Sequence, residues 1–494
     1  MANIALLSDT KRRLLERYLR ESARTTAAPV LAITPRPPDA LAPVSLSQEQ
    51  LLLRERRIQG KPPLYNECIR FRMEGPLDIL ALERSLSEII QRHQIWRTSY
   101  DIRDGRLVQV IHPAPDCIEL PVADLRGLPK SEADAEIQRV VGEAVQQPFD
   151  LKEGPLLRAR MFRTADQEYF LFLGAHLSIV DGVSVYQIFP FELAALYRAY
   201  SSGQANPLPG LTMQFGDCAH RQRQWLEGEE AAGQVAYWRK QLAGQLPVLN
   251  WPVDRPRPAK ETFCGVIRPF AFPSELVEAL EALSRQNGVS LFMGLLAGFV
   301  SLLHLYTQQK DIIVGTPSLA GRKRSEVQRL LGYFLNPVAL RFDLTGEPTF
   351  RALLRQAQRV TLEALTNDDV PLEVLAQELR PNPDPSRHPF FTVAISLQPP
   401  MPQLDMEWSV TSMDIESGGA PWDLYLAFIH RPAETMVRAQ YNPDLFDAET
   451  ITRMIADFQT LLRAAIDDPT GRIFQIYLSS RRQQRPALAG KRVS

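Results

Sequence analysis

The segment LFLGAHLSIVDGVSVYQIF contains the residues of this sequence that are best suited to chemistry. It sets His176 directly after a strand-like run, and Asp181 and Gly182 directly before a helix-like one. An imidazole can move a proton in acid–base catalysis. Asp181 could orient that ring, cap the following helix or pair with a buried arginine, and Gly182 permits a sharp turn. Taken alone, a histidine near an aspartate is more often a structural pair, because structural pairs also perturb titration.

This loop needs a strand before it and a helix after it, and the sequence predicts both. A short apolar run predicts a strand over 169–173, and the spacing after the loop predicts a buried helix over 183–197 that is kinked or broken at Pro190. A strand, a tight loop and a helix in this order present loop side chains to a cleft.

Length and composition indicate a globular α/β protein of several units. The chain has 494 residues, of which 45% are hydrophobic and 23% charged, values typical of soluble domains. The 56 Lys and Arg residues nearly balance 57 Asp and Glu residues, and the net charge of -1 predicts no attraction to nucleic acid or to an anionic membrane. The most apolar stretch, 289–306, contains serine, glycine and histidine, so we expect a core helix rather than a membrane span.

Cysteine usage and the absence of several motifs narrow the chemistry. Four widely spaced cysteines with no CxxC pair predict neither disulfides nor a zinc site, and no bound metal is expected. The N-terminal stretch is a poor signal peptide, which fits a cytoplasmic protein. No glycine-rich phosphate loop, HExxH or GxSxG motif occurs, so nucleotide-dependent adenylation is not expected.

A basic helix precedes the main body of the chain. It is predicted over 9–22, within an N-terminal element of residues 1–22, and 23–43 form a linker rich in alanine, threonine and proline. Its basic face comprises Arg12, Arg13, Arg17 and Arg20. Two interpretations stay open: a solvated helix folded onto the body, or a docking element for an acidic tail on a partner, such as another protein subunit upstream of this chain.

The body alternates helix-like and strand-like segments in two stretches of similar length. We therefore expect two α/β lobes, an N-terminal lobe over 44–225 and a C-terminal lobe over 226–480, followed by a tail over 481–494. Helices are predicted over 45–56, 80–93, 221–242, 273–286, 291–306, 349–364 and 448–465. Strands are predicted over 69–73, 107–112, 311–315 and 391–397.

HLSIVDG resembles the HHxxxDG signature of the condensation domains of nonribosomal peptide synthetases. Other motifs similar to those of that family follow in its order over about 43–468: PVSLSQEQLLL, RHQIWRTSY, QFGDCAHRQRQW, GTPSLAGRKR, GYFLNPVALR, NDDVPLEVL, SRHPFFTVAISLQ and YNPDLFDAETI. Many motifs in one order make the resemblance specific.

The resemblance implies two lobes related to chloramphenicol acetyltransferase, set in a V with a tunnel between them. It implies that donor and acceptor carrier proteins present an acyl or peptidyl group and an aminoacyl group on phosphopantetheine arms. The acceptor amine then attacks the donor thioester and forms an amide, and the chain itself binds no cofactor. Proximity in the tunnel would supply much of the catalysis, with a histidine assisting proton removal.

The sequence departs from the family signature at one position. The second histidine, implied to act as the base or to position the amine, is replaced by Leu177, which neither accepts a proton nor donates a hydrogen bond. The resemblance implies that His176 buttresses the loop, with the alternative that it substitutes for the missing catalytic base if the loop shifts. A pair between Asp181 and Arg322 is implied as well. It also implies active-site support from Asn336 and Arg341 in GYFLNPVALR.

Two functions follow from this departure. The first is a condensation-type acyltransferase with atypical or weakened chemistry. The second is an inactive pseudo-condensation domain that recruits carrier proteins or tailoring enzymes. The feature that distinguishes them is whether another titratable side chain reaches the tunnel in place of Leu177.

Overall fold

The computed structural model describes residues 35–37, 40–56, 62–380, 384–398, 404, 406–412, 417–430 and 435–476. The basic helix predicted over 9–22, with Arg12, Arg13, Arg17 and Arg20, lies outside these residues, as does the predicted tail over 481–494.

The N-terminal part of the body is built on a five-stranded sheet. Its strands in spatial order are β12 (Trp408–Ser412), β2 (Asn66–Glu74), β7 (Glu168–His176), β6 (Leu157–Ala165) and β5 (Val122–Asp124). All neighbours are antiparallel except β5 and β6. Because side chains alternate across a sheet, β2 buries Ile69, Phe71 and Met73 in one core. The strands predicted over 69–73 and 169–173 are confirmed as the middles of β2 and β7.

Helices and a small sheet cover this core. The small sheet has the order β1 (Ala42–Pro43), β4 (Arg106–Ile111) and β3 (Thr98–Arg103). The helices are α1 (Leu46–Arg56), α2 (Ile79–Arg92), α3 (Lys130–Gln146) and α4 (Phe189–Ser201). In α2, Leu82, Leu86 and Ile89 recur at helical spacing and are buried. Asp78 caps this helix by accepting a hydrogen bond from the Ala81 N–H at 3.0 Å.

The C-terminal part is built on a six-stranded sheet. Its spatial order is β10 (Asn336–Asp343), β9 (Asp311–Ser318), β11 (Val393–Gln398), β13 (Leu424–His430), β14 (Thr435–Tyr441) and β8 (Val266–Phe272). The helices of this half are α7 (Ser274–Gln286), α8 (Leu291–Thr307), α9 (Phe350–Thr366), α10 (Leu372–Leu379) and α11 (Ala448–Asp467). Strand β11 is parallel to β9 and β13, and the other neighbours are antiparallel.

Helix α8 lies at the centre of the C-terminal core. It contacts α7, α9 and α11, and residues from Met293 to His304 are buried on every side. The expectation of a core helix in this stretch is confirmed. Within the described ranges no single helix meets the length and hydropathy needed to cross a membrane, and α7 with α8 does so only as a pair bent by 105°.

Two segments of the second half pack into the N-terminal core. Strand β12 pairs with β2, placing Val410 opposite Phe71. In addition, Leu330, Leu331 and Phe334 belong to the same hydrophobic cluster as Phe71. The boundary predicted between residues 225 and 226 therefore assigns to the C-terminal lobe two segments that pack in the N-terminal core.

The single helix predicted over 221–242 is wrong. The chain forms α5 (Phe215–Leu226) and α6 (Glu229–Gln241), separated at Gly228, whose extended backbone (φ -94°, ψ 169°) ends the first helix. The chain does not break at Pro190. It stays helical through this position and changes only in type, from a π-helical turn, Ser184–Ile188, to α4, whose second residue is Pro190.

Candidate active site

A cavity of ≈ 900 Å³ lies between the two large sheets and is termed the central cavity. Both halves of the chain line it. Residues from the N-terminal half include Tyr65, Glu67, Ile69, Leu173, Ala175, Leu177 and Gly182, and residues from the C-terminal half include Tyr333, Asn336, Ser396, Gln398, Tyr425 and Arg438. A cavity of this size and mixed lining is typical of a site for small molecules or flexible arms.

His176 ends β7 and is completely buried. Its Nε2 lies 2.6 Å from a carboxylate oxygen of Glu55 on α1, and its Nδ1 lies 2.6 Å from the Ser178 hydroxyl. The Ser178 N–H also donates to Nδ1 at 3.3 Å, so Nδ1 is an acceptor and Nε2 carries the proton toward Glu55. With both ring nitrogens engaged and no contact with the central cavity, His176 holds the loop against α1.

Leu177 is half-buried and lines the central cavity. Its backbone N–H donates to the Tyr65 carbonyl at 2.8 Å, which fixes the loop to the end of β2. The side chain therefore presents hydrocarbon where the resemblance implies an imidazole, and the loop offers no proton acceptor at this point.

Asp181 and Arg322 form a buried bidentate ion pair across the two halves. Asp181 accepts hydrogen bonds from Arg322 Nε and from one terminal nitrogen, both at 2.8 Å. It also accepts from the backbone N–H groups of Ser184 at 2.7 Å and Phe334 at 3.2 Å, so both carboxylate oxygens are fully used. The pairing implied by the resemblance is confirmed, and its contacts are those of a structural clamp.

The loop is also reached from the opposite sheet. A Cβ added at Gly182 would lie 3.5 Å from the Gln398 amide oxygen, an ordinary contact distance, so β11 lies directly against the loop. The Ser184 hydroxyl receives a hydrogen bond from Arg322 at 2.7 Å and one from the Gly332 N–H at 3.0 Å. The HLSIVDG loop is therefore held rigidly by elements of both halves.

Asn336 and Arg341 lie on β10 but have different surroundings. Asn336 lines the central cavity, and its amide donates to the backbone carbonyls of Asp368 and Val370. Arg341 instead forms a bidentate pair with Asp311 at 3.0 and 2.8 Å and also donates to the Gln241 carbonyl. Arg341 is not among the residues that line the central cavity, so the structure does not bring it to His176, Leu177, Asp181 and Gly182.

A polar group that the sequence analysis missed lies in the same cavity. Glu67 comes from β2, Tyr425 from β13 and Arg438 from β14. The Tyr425 hydroxyl lies 2.7 Å from that of Ser396, and Gln398 also approaches it at 3.5 Å. The available sequence signal was a carboxylate at position 67, in step with the alternate residues Ile69, Phe71 and Met73 that the same strand buries.

The geometry agrees with a comparison to known families. The family model described as the condensation domain matches residues 40–487. This chain belongs to the condensation-domain family.

Relatives of this condensation domain include much larger proteins. A linear gramicidin synthase of Brevibacillus parabrevis is 39% identical over 460 residues, covering 92% of this chain and 9% of that protein. The first condensation domain of the calcium-dependent antibiotic synthetase, solved with a substrate analogue, has a TM-score of 0.74 at 19% identity and covers 88% of this chain and 98% of its own. The X-domain from teicoplanin biosynthesis, solved in complex with OxyB, has a TM-score of 0.78 at 25% identity, and the match covers 91% of this chain and 98% of the X-domain chain.

The central cavity of this condensation domain perturbs the groups it encloses. Burial raises the pKa of the Glu67 carboxyl, and the positive charge of Arg438 opposes that rise. Burial also raises the pKa of the Tyr425 hydroxyl, an effect opposed by its hydrogen bond to Ser396 and reinforced by the Glu67 charge. The Glu67 side chain is accessible to solvent inside the cavity, and its carboxylate interacts electrostatically with Arg438 and Tyr425.

Proposed function

We propose that this condensation domain transfers an acyl or peptidyl group from a donor carrier protein to an aminoacyl group on an acceptor carrier protein, forming an amide without the usual histidine. Condensation domains generally form amides by acyl transfer between carrier-bound substrates. The observation that carries the proposal is the central cavity, which both halves line and which the Asp181–Arg322 pair holds together beside Leu177.

The cavity accounts for most of the expected rate. Holding two reactants at attack distance supplies about 7–11 kcal/mol of a barrier, whereas a general base contributes about 10²–10⁴ in rate. A cavity that keeps its walls and lacks the histidine therefore still accelerates aminolysis. The phosphopantetheine arms of the carriers bring the thioesters, and we propose no cofactor bound by this chain.

The test is intact-mass detection of product on the acceptor carrier. The full chain is mixed with an acyl-loaded donor carrier and an aminoacyl-loaded acceptor carrier, beside a reaction without the chain. We expect the acceptor to gain the mass of the acyl group above that background. Leu177→His should raise the rate, with about 10²–10⁴-fold, the full contribution of a general base, as the upper bound. Leu53→His, which introduces the same side chain elsewhere on the cavity wall, should leave the rate unchanged.

A second candidate function is recruitment without catalysis. It is favoured by the apolar Leu177 and by the likeness to an X-domain that was solved in complex with OxyB. In that case the native chain would bind loaded carriers or a tailoring enzyme but yield no product with any loaded pair, whereas Leu177→His would restore product. That result would overturn the catalytic proposal.

A further inference from the structure

We propose that Glu67 is the acceptor-binding group of the central cavity: its carboxylate binds the ammonium of the aminoacyl acceptor and takes the proton that the ammonium must lose before it attacks. This proposal rests on the proposed function and names the side chain that replaces the absent imidazole.

The register of the sheet places Glu67 beside the altered position. Glu67 pairs with Ala175 across β2 and β7, and Ala175 is two residues before Leu177. Diagonal neighbours on one face of an antiparallel pair are about 7–8 Å apart, within reach of a long side chain. Glu67, Ala175 and Leu177 all line the central cavity, so the carboxylate shares the wall from which the histidine is missing.

Among the described residues, the other carboxylates that line the central cavity are already held. Asp181 is engaged by Arg322, Glu261 by Arg54 at 3.1 Å, and Asp384 by the Ser386 hydroxyl at 2.7 Å. Glu67 interacts with the charge of Arg438, and within the described ranges no hydrogen-bond donor engages its carboxylate. A carboxylate has about four lone-pair positions, so it retains capacity for an ammonium group.

The opposite sheet completes a polar site for a small cationic group. Tyr425 and Ser396 share a hydrogen bond of 2.7 Å, and their hydroxyl oxygens are possible acceptors for an ammonium N–H. Gln398 links this pair to the loop, because its amide lies near both Tyr425 and Gly182. The site therefore lies where the halves meet at the HLSIVDG loop.

The step balances as an aminolysis. Glu67 first takes one proton from the bound ammonium and leaves a neutral amine. The amine nitrogen then forms a bond to the donor carbonyl carbon, and the carbon–sulfur bond breaks. The second amine proton goes to the departing thiolate, so the products are an amide and a free thiol. The proton on Glu67 returns to solvent when the product leaves.

Binding can be tested separately from catalysis. Calorimetric titration compares alanyl pantetheine amide with propionyl pantetheine amide, two probes that cannot react and that differ in the amino group. The native chain should bind the alanyl probe roughly 10- to 100-fold more tightly, as expected for hydrogen bonds to a charged group. Glu67→Gln should remove that preference. Glu74→Gln changes the same residue type at the distant end of β2 and should preserve it.

Each outcome is decisive for Glu67. Equal affinities for the two probes in the native chain, no measurable binding of the alanyl probe, or an unchanged preference in Glu67→Gln would overturn the proposal. Product formation in the mass assay tests the proposed function independently. A Glu67-dependent preference without product refutes acyl transfer but supports the ammonium site, whereas equal product rates in the native chain and Glu67→Gln refute the ammonium site alone.

Discussion

The Asp181 carboxylate illustrates how a motif residue can be indispensable without touching substrate. Its oxygens receive hydrogen bonds from Arg322 and from the backbone N–H groups of Ser184 and Phe334. Asp181 and Arg322 are both buried, and each neutralises the charge of the other, which would otherwise lower the stability of the folded state. The pair also joins a loop of one half to a loop of the other.

Asp181→Ala should therefore destabilise the protein by about 3–5 kcal/mol, because the change leaves the Arg322 charge buried without its partner. Urea unfolding followed by circular dichroism measures this loss. Glu143→Ala is the matched control, since it removes an exposed i,i+4 pair with Arg139 on α3 and should barely move the midpoint. Equal midpoints for Asp181→Ala and the native chain would contradict the clamp.

Replacing Glu67 should stabilise the protein, whereas replacing Asp181 should destabilise it. Burial raises its pKa, so the folded state favours the protonated form and the ionised form costs stability. Glu67→Gln removes that cost, and we expect its melting temperature to exceed the native value slightly at neutral pH, because the side chain is accessible to solvent and the lost attraction to Arg438 offsets part of the gain. The difference should be small near the ordinary pKa of a glutamate and should widen as pH rises from there toward the raised pKa. Calorimetry across the acidic to neutral range measures it, and a lower melting temperature for the variant throughout would contradict the assignment.

Acyl transfer should depend on pH through the same carboxyl. Only ionised Glu67 can take a proton, so the rate should fall, as pH is lowered, at a higher pH than for an ordinary glutamate. The titratable and charged groups facing it are Tyr425 on β13 and Arg438 on β14, while β7 presents Ala175 and β11 presents Ser396 and Gln398. A rate profile of native chain against Glu67→Gln checks this, because the variant should lose that inflection.

Residue-level prediction from the sequence succeeded where a motif specified the contact and failed where the fold brought strands together. The resemblance implied the partners Asp181 and Arg322, although 141 residues separate them. It did not indicate Glu67, because the strands that face it come from the opposite sheet and no local pattern encodes that approach. Arg341 was expected near the site, but the nearby Asp311 on the paired strand β9 holds it elsewhere.

At the scale of elements, hydrophobic periodicity predicted the strongly amphipathic helices and the buried strands. It failed between α5 and α6, where one extended glycine outweighed a continuous helical pattern. It also gave no sign of β12, a short strand that leaves its own half to pair with β2. Sheet membership depends on long-range pairing, which composition and local spacing do not contain.

The pairing of β12 with β2 predicts which part of the protein a change at Trp408 loosens. Trp408 is buried and packs its ring 4.8 Å from that of Tyr197 on α4, so Trp408→Ala should cost about 3–5 kcal/mol. Hydrogen exchange should become faster in β2 and α4 and stay unchanged in β13 and β14. Trp251→Ala is the control, because Trp251 stacks on Tyr306 of α8 and should loosen the C-terminal half. Loss of protection in β13 after Trp408→Ala would contradict that prediction.

At the scale of the whole molecule, the two halves share one interface, and segments of the second half complete the core of the first. A polypeptide ending at residue 225 would lack β12 and the side chains of Leu330, Leu331 and Phe334, leaving β2 as an exposed edge and the cluster around Phe71 open to water. We expect residues 40–225 alone to show no cooperative urea transition and to bind a hydrophobic dye. Co-expression with residues 226–476, which supply both missing parts, should restore the transition. A sharp transition of the isolated piece at the midpoint of the full chain would show instead that the N-terminal lobe folds without the second half.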